Sequence, residues 1–314
     1  MSTRKGWQKL LRDVGDFIVL IGRIILAFFS SGFGCLIPKA KKSVKDEIVL
    51  ITGAGRGLGK ELALKFIEED AIVVLWDIDG KSAFATRDEI RSLGGKAHAY
   101  ICDVTNEKEV QRIGRTVQEE VGDVTILVNN AGILQNVLFM ELDSGKIRKT
   151  LEVNLLSHFW TIRFFLPRML ELEKGHIAAI SSASGLISWL YLADYTASKF
   201  GILGLMEVLE EEMRLLGKED KIHFTTACPF TIDTGMNHSP TSRMQCLCPI
   251  LDVKKTAADI VTAIQREKTL ITVPSRMLYP LLVHRLLPKK VKQLICDFCQ
   301  YNMIPNNASV DQLS

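Results

Sequence analysis

The sequence predicts an α/β fold built on a parallel, doubly wound sheet, and two observations indicate it. Short apolar runs typical of buried strands alternate with longer segments of helical periodicity. Glycine-rich or polar residues follow most of these runs, as they do where ligands bind at the carboxyl ends of parallel strands. Repeated units of this length imply right-handed crossovers between the strands. The predicted strands cover residues 47–52, 71–76, 97–101, 125–128, 177–180 and 222–227.

Helical segments connect these strands. Helical periodicity covers residues 60–67 after the first strand and residues 106–121 after the third. A long helix is expected over residues 144–171, and another helix carries Tyr195 after the fifth strand. Because no repeat or low-complexity linker interrupts the pattern, we expect one domain over residues 46–273. Segments of a different character precede it at residues 1–45 and follow it at residues 274–314.

A glycine-rich turn between the first strand and its helix predicts a nucleotide site. Glycines let the backbone approach a pyrophosphate, and a helix N-terminus offers unpaired N–H groups and a positive dipole end. An ordinary flexible loop is the alternative, but the order of strand, turn and helix favours phosphate binding. The predicted phosphate-binding residues are Gly53, Arg56, Gly57, Leu58 and Gly59.

Asp77 ends the second strand, 18 residues after Gly59. A carboxylate there accepts hydrogen bonds from the adenosine ribose hydroxyls and repels a 2′-phosphate, which favours NAD over NADP. Arg56 argues for NADP, because a cation in the glycine turn would attract that phosphate. We weigh Asp77 more heavily, since its charge would lie against the ribose itself. The alternative for Asp77 is a turn-forming residue at the end of a strand.

Tyr195 and Lys199 lie four residues apart and therefore share one face of a predicted helix. A fixed positive charge beside the phenol favours the phenolate and lowers the tyrosine pKa from about 10. Bringing that pKa near neutrality takes about 4 kcal/mol of differential stabilisation. Tyr195 would then act as a general base at cellular pH. The alternative is a solvated pair on an exposed helix face, which is common at this spacing.

The order of these motifs resembles that of the short-chain dehydrogenases/reductases, over roughly residues 46–273. The resemblance implies a Rossmann-type fold and an enzyme that transfers hydride between an alcohol and a nicotinamide cofactor. The motifs that carry it are Thr52-Gly53 with Gly57-Leu58-Gly59, Asp103, Asn129-Asn130-Ala131-Gly132, Ser182 with Tyr195 and Lys199, and Pro229 with Thr234.

The resemblance also implies roles for individual residues. Ser182, 13 residues before Tyr195, would bind the substrate oxygen, with Ser181 as the alternative. Tyr195 would remove the alcohol proton, and Lys199 would bind the nicotinamide ribose and support the phenolate. Asn154 would hold a water that links Lys199 to solvent, unless it only satisfies a local backbone group in its helix. Further implied cofactor contacts are Asp103 at the adenine, Asn130, Ala131 and Gly132 along the cofactor, and Thr234 at the carboxamide.

One position departs from the family pattern. Phe230 follows Pro229, where the family usually has glycine. We expect a loop with less backbone freedom and a bulkier wall near the nicotinamide. The shape of the substrate therefore stays undetermined, whereas the predicted reaction type does not change.

Within the family, three segments resemble the branch of epidermal-type retinol dehydrogenases and type 11 and 13 17β-hydroxysteroid dehydrogenases. The segments are residues 74–79, 122–126 and 273–275. The resemblance implies NAD-dependent oxidation of a lipophilic secondary or allylic alcohol on the endoplasmic reticulum or lipid droplets. Residues 228–230 and 234–236 favour all-trans-retinol as substrate, with a 17β-hydroxysteroid as the alternative. A homodimer through the helices of Asn154 and Tyr195 is also implied, although the sequence itself does not reveal the oligomeric state.

Two hypotheses of other kinds stay open. The chain could serve as a lipid-droplet scaffold that binds nucleotide with little turnover, although a complete set of Asn154, Ser182, Tyr195 and Lys199 argues against decay. It could also be an NADPH-dependent carbonyl reductase that works in the opposite direction. Cofactor preference would distinguish this last case.

The N-terminal segment predicts a membrane anchor. Residues 17–37 are apolar apart from Arg23, and as a helix they would extend about 31 Å, close to the thickness of a hydrocarbon core. A cleaved signal and an amphipathic core helix are the alternatives. Basic residues flank both sides, so the positive-inside rule gives no orientation. They also suit a hairpin that bends near residues 30–32 and re-enters one leaflet.

Charge supports a membrane partner rather than a nucleic acid. Residues 1–45 hold nine Lys/Arg and two acids, a net +7, which leaves −4 for the other 269 residues. Such a basic excess beside an apolar segment is typical of membrane surfaces. Near the other end, the apolar residues 277–283 precede Lys289, Lys290 and Lys292. We expect an interfacial segment that also covers the substrate site, with a docked C-terminal helix as the alternative.

The seven cysteines show no disulfide framework, which favours reduced thiols in a domain that faces the cytosol. Cys246 with Cys248, and Cys296 with Cys299, superficially resemble metal-binding pairs. Their spacing matches no zinc ribbon or finger, so we expect no metal site.

Overall fold

The computed structural model describes residues 13–27, 39–232 and 249–299. The chain divides into two compact units, residues 1–41 and 42–314. In the first unit, residues 13–27 form helix α1, and its side chains are exposed. Within the described ranges, no helix has both the length and the apolarity needed to cross a membrane. The predicted anchor at residues 17–37 extends past α1 into residues 28–37, which lie outside the described ranges, so it stays a prediction.

The second unit is built on a parallel sheet of seven strands in the order β3-β2-β1-β4-β5-β6-β7. The chain reverses its direction of travel across the sheet between β1 and β4, which is where ligands bind in doubly wound folds. The strands are β1 (Ile48–Thr52), β2 (Ile72–Asp77), β3 (Lys96–Ile101), β4 (Ile126–Asn129), β5 (Gly175–Ile180), β6 (Ile222–Pro229) and β7 (Leu270–Val273).

This topology confirms the predicted doubly wound parallel sheet. All six predicted strands form, with ends that shift by one or two residues. β7 is a seventh strand that the sequence analysis did not predict. It pairs with β6 from Thr226 opposite Leu270 to Pro229 opposite Val273, and so lies at the edge of the sheet beside the candidate site.

Helices cover both faces of the sheet. One apolar layer joins the sheet to α2, α3 and α8, and the other joins it to α4, α6 and α7. Neighbouring strand residues such as Leu50 and Ile51 enter opposite layers, and both are fully buried. The helices are α2 (Gly57–Glu68), α3 (Gly80–Ser92), α4 (Glu107–Glu120), α5 (Ser144–Leu151), α6 (Ser157–Glu171), α7 (Ala193–Leu215), α8 (Val253–Gln265), α9 (Leu278–Leu286) and α10 (Lys289–Cys299).

The predicted helix over residues 144–171 has the expected extent but not a uniform geometry. A π-helical turn over Glu152–Leu156 separates α5 from α6, and Asn154 lies inside it. Such turns widen the helix by one residue and are frequent at functional sites. The turn therefore changes which side chains of this helix face the sheet, at the position of the predicted catalytic residue Asn154.

The C-terminal segment is docked at its beginning and exposed further along. Met277 and Leu281 are almost fully buried, in a cluster that includes Phe230 and Leu186. In contrast, Val283 and Leu286 on α9 are 55% and 85% exposed. The docked start agrees with the docked-helix alternative, and an interfacial role for the exposed part stays a prediction.

Candidate active site

A cavity of about 650 Å³ opens at the carboxyl ends of the central strands. Asn154 lies behind its wall, and Thr234 lies outside the described residues, as do Cys246 and Cys248. The other predicted site residues all line the cavity: Gly53, Arg56, Gly57, Leu58, Gly59, Asp77, Asp103, Asn130, Ala131, Gly132, Ser182, Tyr195 and Lys199.

The glycine turn packs too tightly for side chains at Gly53, Gly55 and Gly59. Gly53 has a φ of +63°, and a Cβ atom on it would lie 2.9 Å from Cα of Ala131. A Cβ atom on Gly59 would overlap the carbonyl oxygen of Gly53. Glycine at these positions therefore lets the turn fold back against the end of β4 and leaves its outer side open to the cavity.

Thr52 and Asn130 brace this turn from behind. The Asn130 amide donates hydrogen bonds to the carbonyl oxygens of Thr52 and Gly53, at 2.9 and 3.1 Å. The Thr52 hydroxyl oxygen accepts from the backbone N–H groups of Asn130 and Ala131, both at 3.0 Å. Asn130 thus holds the turn as well as lining the cavity. The sequence analysis gives Thr52 no separate role, although its position directly before the glycines indicates a contact with the glycine turn.

The N-terminus of α2 suits an anion. Its N-cap residue, Arg56, makes no side-chain cap, and its first turn holds no acid. Gly57 and Leu58 in that turn line the cavity. Four other helices, in contrast, have side-chain caps, from Asp79, Asn106, Asp143 and Asp252. Because uncapped N–H groups and the positive end of a helix dipole favour phosphate, this end of the cavity fits a dinucleotide pyrophosphate.

The Asp77 carboxylate has a turn-forming role, and its binding of a ribose stays a prediction. Its Oδ2 accepts from the Gly55 backbone N–H at 2.8 Å, and its Oδ1 accepts from the Asp79 N–H at 2.9 Å. It therefore forms the turn after β2 and also fixes the glycine turn. Each oxygen keeps a further acceptor position, and the residue lines the cavity. Arg56 lies on the same cavity with an exposed side chain.

Asp103 lies further along the wall, at the end of β3. Burial opposes its ionisation, but hydrogen bonds from Thr105 and the charge of Lys149 lower its pKa. The Lys149 ammonium lies 3.8 Å from Oδ2 of Asp103 and also lines the cavity. Sequence reasoning missed Lys149, because nothing in its local pattern distinguishes it from the other lysines on an exposed helix face.

Tyr195 and Lys199 project from the first turns of α7 into the same cavity. The Lys199 ammonium is 5.5 Å from the centroid of the Tyr195 ring and donates to the Ile180 carbonyl at 2.8 Å. Its side chain is deeply buried, and this desolvation lowers the pKa of Lys199 to about 8. The pair therefore has the shared orientation that its spacing predicts, with the charge held at the end of β5.

Asn154 connects two elements around Lys199. Its Oδ1 accepts from the Ile133 N–H at 2.8 Å, and its Nδ2 donates to the Ile133 carbonyl at 2.9 Å. Nδ2 also donates to the Ser198 hydroxyl at 3.2 Å. The backbone group that Asn154 binds is thus 21 residues away, in the loop after β4, and not in its own helix. The role of Asn154 in holding a water stays a prediction.

The two candidate serines differ in what their hydroxyls do. Ser181 is buried, and its hydroxyl donates to the Lys199 carbonyl at 3.0 Å. The Ser182 hydroxyl accepts from the Ser184 N–H at 3.1 Å, and the residue is only half-buried. A substrate oxygen needs a donor, and the hydroxyl hydrogen of Ser181 is already used. The geometry therefore favours Ser182 over Ser181.

The end of the cavity beyond Tyr195 is mainly apolar. Phe230 lines it and belongs to the same buried apolar cluster as Met277 and Leu281 at the start of the C-terminal segment. The expected bulky wall is therefore present, and it is continuous with α9. Other apolar lining residues at this end are Ile133, Leu134, Trp189 and Leu192.

Comparisons with known proteins agree with this geometry. A family model described as short chain dehydrogenase matches residues 47–245. Human (Homo sapiens) epidermal retinol dehydrogenase 2 is 38% identical over 289 residues, which are 92% of this chain and 93% of the relative. Human 17-beta-hydroxysteroid dehydrogenase 13 is 37% identical over 280 residues, 89% and 92% of the two chains. A crystal structure of a Burkholderia phymatum short chain dehydrogenase/reductase in complex with NAD has the same fold, with a TM-score of 0.70, 24% identity, and coverage of 85% and 99%.

We expect Ser182→Ala and Ser181→Ala to have different effects. Loss of the Ser182 hydroxyl removes a donor to the reacting oxygen, so kcat/KM for alcohol oxidation should fall about 100-fold or more. Loss of the Ser181 hydroxyl removes one bond to α7 and should mainly lower the free energy of unfolding, by about 1 kcal/mol. Steady-state kinetics and urea unfolding of both variants measure this difference. A larger kinetic loss in Ser181→Ala would reverse the assignment.

The pH dependence of kcat/KM should reveal Lys199. Its pKa is lowered to about 8, so its ammonium loses its proton as the pH rises through that value, and the Tyr195 phenolate loses its supporting charge. Above about pH 8, kcat/KM should therefore fall, because this constant reports groups of the free enzyme. Initial rates with stability checked at each pH test this. A continued rise to about pH 10 would contradict it.

Proposed function

Because the chain belongs to the short chain dehydrogenase family and is an oxidoreductase, we propose that it oxidises all-trans-retinol to retinal with NAD. The observation that carries this proposal is the position of Tyr195 and Lys199. They lie on the cavity wall between an anion-binding glycine turn and an apolar end. This position supports Tyr195 as the proton acceptor between a cofactor and a lipophilic alcohol.

The nucleotide end of the cavity has the groups that NAD requires. The first turn of α2 would bind the pyrophosphate, Asp77 the adenosine ribose and Asp103 the adenine. Gly132 and Lys199 would line the nicotinamide end, where an ideal Cβ on Gly132 lies 3.7 Å from the Lys199 ammonium. When bound, NAD supplies the hydride acceptor.

The chain's own residues would manage the proton and the orientation of the alcohol. Ser182 donates a hydrogen bond to the alcohol oxygen, and the Tyr195 phenolate accepts its proton. The buried charge of Lys199 stabilises that phenolate in a site with little competing water. Asn154 fixes the loop after β4 and the Ser198 turn, and thereby the position of Lys199.

The apolar end of the cavity supports a lipophilic substrate. Retinol is favoured because the epidermal retinol dehydrogenases are among the similar proteins and because Phe230 narrows the cavity beside the nicotinamide end. A 17β-hydroxysteroid is the second candidate, since 17-beta-hydroxysteroid dehydrogenase 13 is 37% identical, nearly as similar as the retinol enzymes. A difference in apolar shape of a few methylene groups separates such substrates by only about 1–3 kcal/mol.

We further propose that the protein works on the endoplasmic reticulum membrane or on lipid droplets, with its catalytic domain in the cytosol. Helix α1 supports this, because it exposes large apolar side chains around most of its circumference. The exposed apolar and basic residues of α9 and α10 support it independently. A scaffold with little turnover is the alternative of another kind.

Oxidation of all-trans-retinol by membrane fractions, with NAD and NADP in parallel, tests the proposal. We expect activity with NAD, and a loss of about 100-fold or more in Tyr195→Phe, because general-base catalysis contributes this much. Asp77→Ala should raise KM for NAD by about 10-fold or more by removing charged hydrogen bonds to the ribose. Turnover of a 17β-hydroxysteroid but not of retinol would instead assign the steroid as the substrate. Measured NAD binding without turnover of either alcohol would favour the scaffold.

Phe230→Gly should alter the choice between the two substrates. Removing the ring widens the wall beside the nicotinamide end, so kcat/KM for a 17β-hydroxysteroid relative to retinol should rise about tenfold or more. Because loss of a buried ring costs about 3–5 kcal/mol, the thermal midpoint must be measured as well. Phe230→Leu, which keeps an apolar side chain in the cluster, is the control. Equal losses for both substrates in both variants would show that Phe230 has no part in selection.

A further inference from the structure

Four large apolar side chains are exposed close together at the second unit's cavity. Three are consecutive in the loop after β4, and one precedes α7. We call them the apolar lip: Leu138, Phe139, Met140 and Leu190, which are 50%, 67%, 89% and 74% exposed. Single exposed apolar residues are normal, but a contiguous group of this kind marks an interaction site.

The lip lies at the rim of the cavity. Gln135, which lines the cavity, lies three residues before Leu138 on one side, and Trp189 directly precedes Leu190 on the other. The Val137 N–H donates to the Tyr191 carbonyl at 3.2 Å and so joins the two loops. An apolar molecule that crosses the lip would therefore reach Trp189 and the apolar end of the cavity directly.

Local backbone structure holds these side chains outward. Phe139–Glu141 form a short 3₁₀ turn that is stabilised by its own backbone hydrogen bonds. On the other loop, Tyr191 has a φ of +63°, a left-handed conformation that is uncommon and costly for a bulky residue. The chain thus accepts strain beside Leu190, which is typical of functional loops.

The surface beside the lip is basic. Trp189 packs against the apolar cluster that contains Met277 and Leu281, so the C-terminal segment adjoins this loop. Residues 269–296 contain five Lys/Arg and not a single Asp or Glu. Among them, Arg276, Lys289 and Lys290 are exposed. Glu141 and Asp143 in the first loop are exposed as well, but the five cations of residues 269–296 outnumber them. Exposed apolar side chains beside such a basic segment match the surface of an anionic phospholipid membrane.

We propose that the apolar lip contacts an anionic phospholipid surface and is the port through which a membrane-dissolved alcohol enters the cavity. This inference depends on the proposed function, because it presumes a lipophilic alcohol as substrate. It adds to that function the direction from which the substrate arrives. It also explains why apolar residues at the cavity mouth are exposed while those further inside are covered.

The test compares the full-length double variant Phe139→Ser, Met140→Ser with a matched control, Leu215→Ser, Leu216→Ser. The control residues are similarly exposed, at 72% and 63%, and lie at the far end of α7, about 30 Å from Tyr195 by helix geometry. Retinol is presented in phosphatidylcholine vesicles with and without phosphatidylserine. A short water-soluble allylic alcohol serves as the second substrate, and oligomeric state is measured by sedimentation.

In the lip variant, kcat/KM for vesicle-borne retinol relative to the soluble alcohol should fall about tenfold, through KM, and the control should keep the wild-type ratio. Phosphatidylserine should raise the rate of the wild type on vesicle-borne retinol. The proposal would be overturned by an unchanged ratio in the lip variant, by an equal change in the control, or by an oligomeric state in the lip variant that differs from the wild type. If the wild type oxidises the soluble alcohol but never retinol, the proposed substrate fails and the port with it. If both substrates are oxidised and the ratio stays constant, only the port fails.

Discussion

The buried ammonium of Lys199 is the constraint around which the rest of the site is arranged. A charge that is removed from water must find oxygen ligands or lose its proton. The end of β5 supplies the Ile180 carbonyl, and Ser181 in turn holds the Lys199 carbonyl. Even so, burial lowers its pKa to about 8, so the charge is retained at neutral pH by a narrow margin. Losing the Ile180 carbonyl as an acceptor would shift that balance toward the neutral amine.

The irregular helix between α5 and α6 follows from the same requirement. Asn154 must reach Ile133 in the loop after β4 and, at the same time, Ser198 beside Lys199. In a regular helix, the direction of each side chain follows from its position in the sequence. The π-turn over Glu152–Leu156 inserts one residue and so changes the direction of the side chains around it. The local loss of regular hydrogen bonds is offset by three long-range bonds from one buried amide. The irregular turn therefore costs local hydrogen bonds and in return positions the Asn154 amide.

The sequence was sufficient for what depends on local pattern. Buried strands such as residues 177–180 show as short apolar runs, and the glycine turn has a recognisable context, so the sheet topology and the nucleotide end followed. β7 was not predicted; Thr272 interrupts its apolar run, whereas the run over residues 177–180 is continuous. The π-turn was not predicted from the sequence, because it leaves the length of the predicted helix unchanged. Contacts such as that of His176 with Lys42, 134 residues apart, have no local signal at all. The roles of the site residues stay predictions for the same reason, since geometry places them together without showing what they bind.

The two ends of the cavity are built from different kinds of structure, and this difference has a consequence for function. The nucleotide end is formed by strand ends and by the first turn of α2, which the sheet itself fixes. The apolar end depends on Phe230, on the loop that carries Trp189 and on the docked start of α9. Loops and a terminal helix tolerate change more readily than strands. The proposed substrate choice and the proposed contact with a lipid surface therefore depend on the same variable parts, so a change in one would alter the other while the strand ends stay as they are.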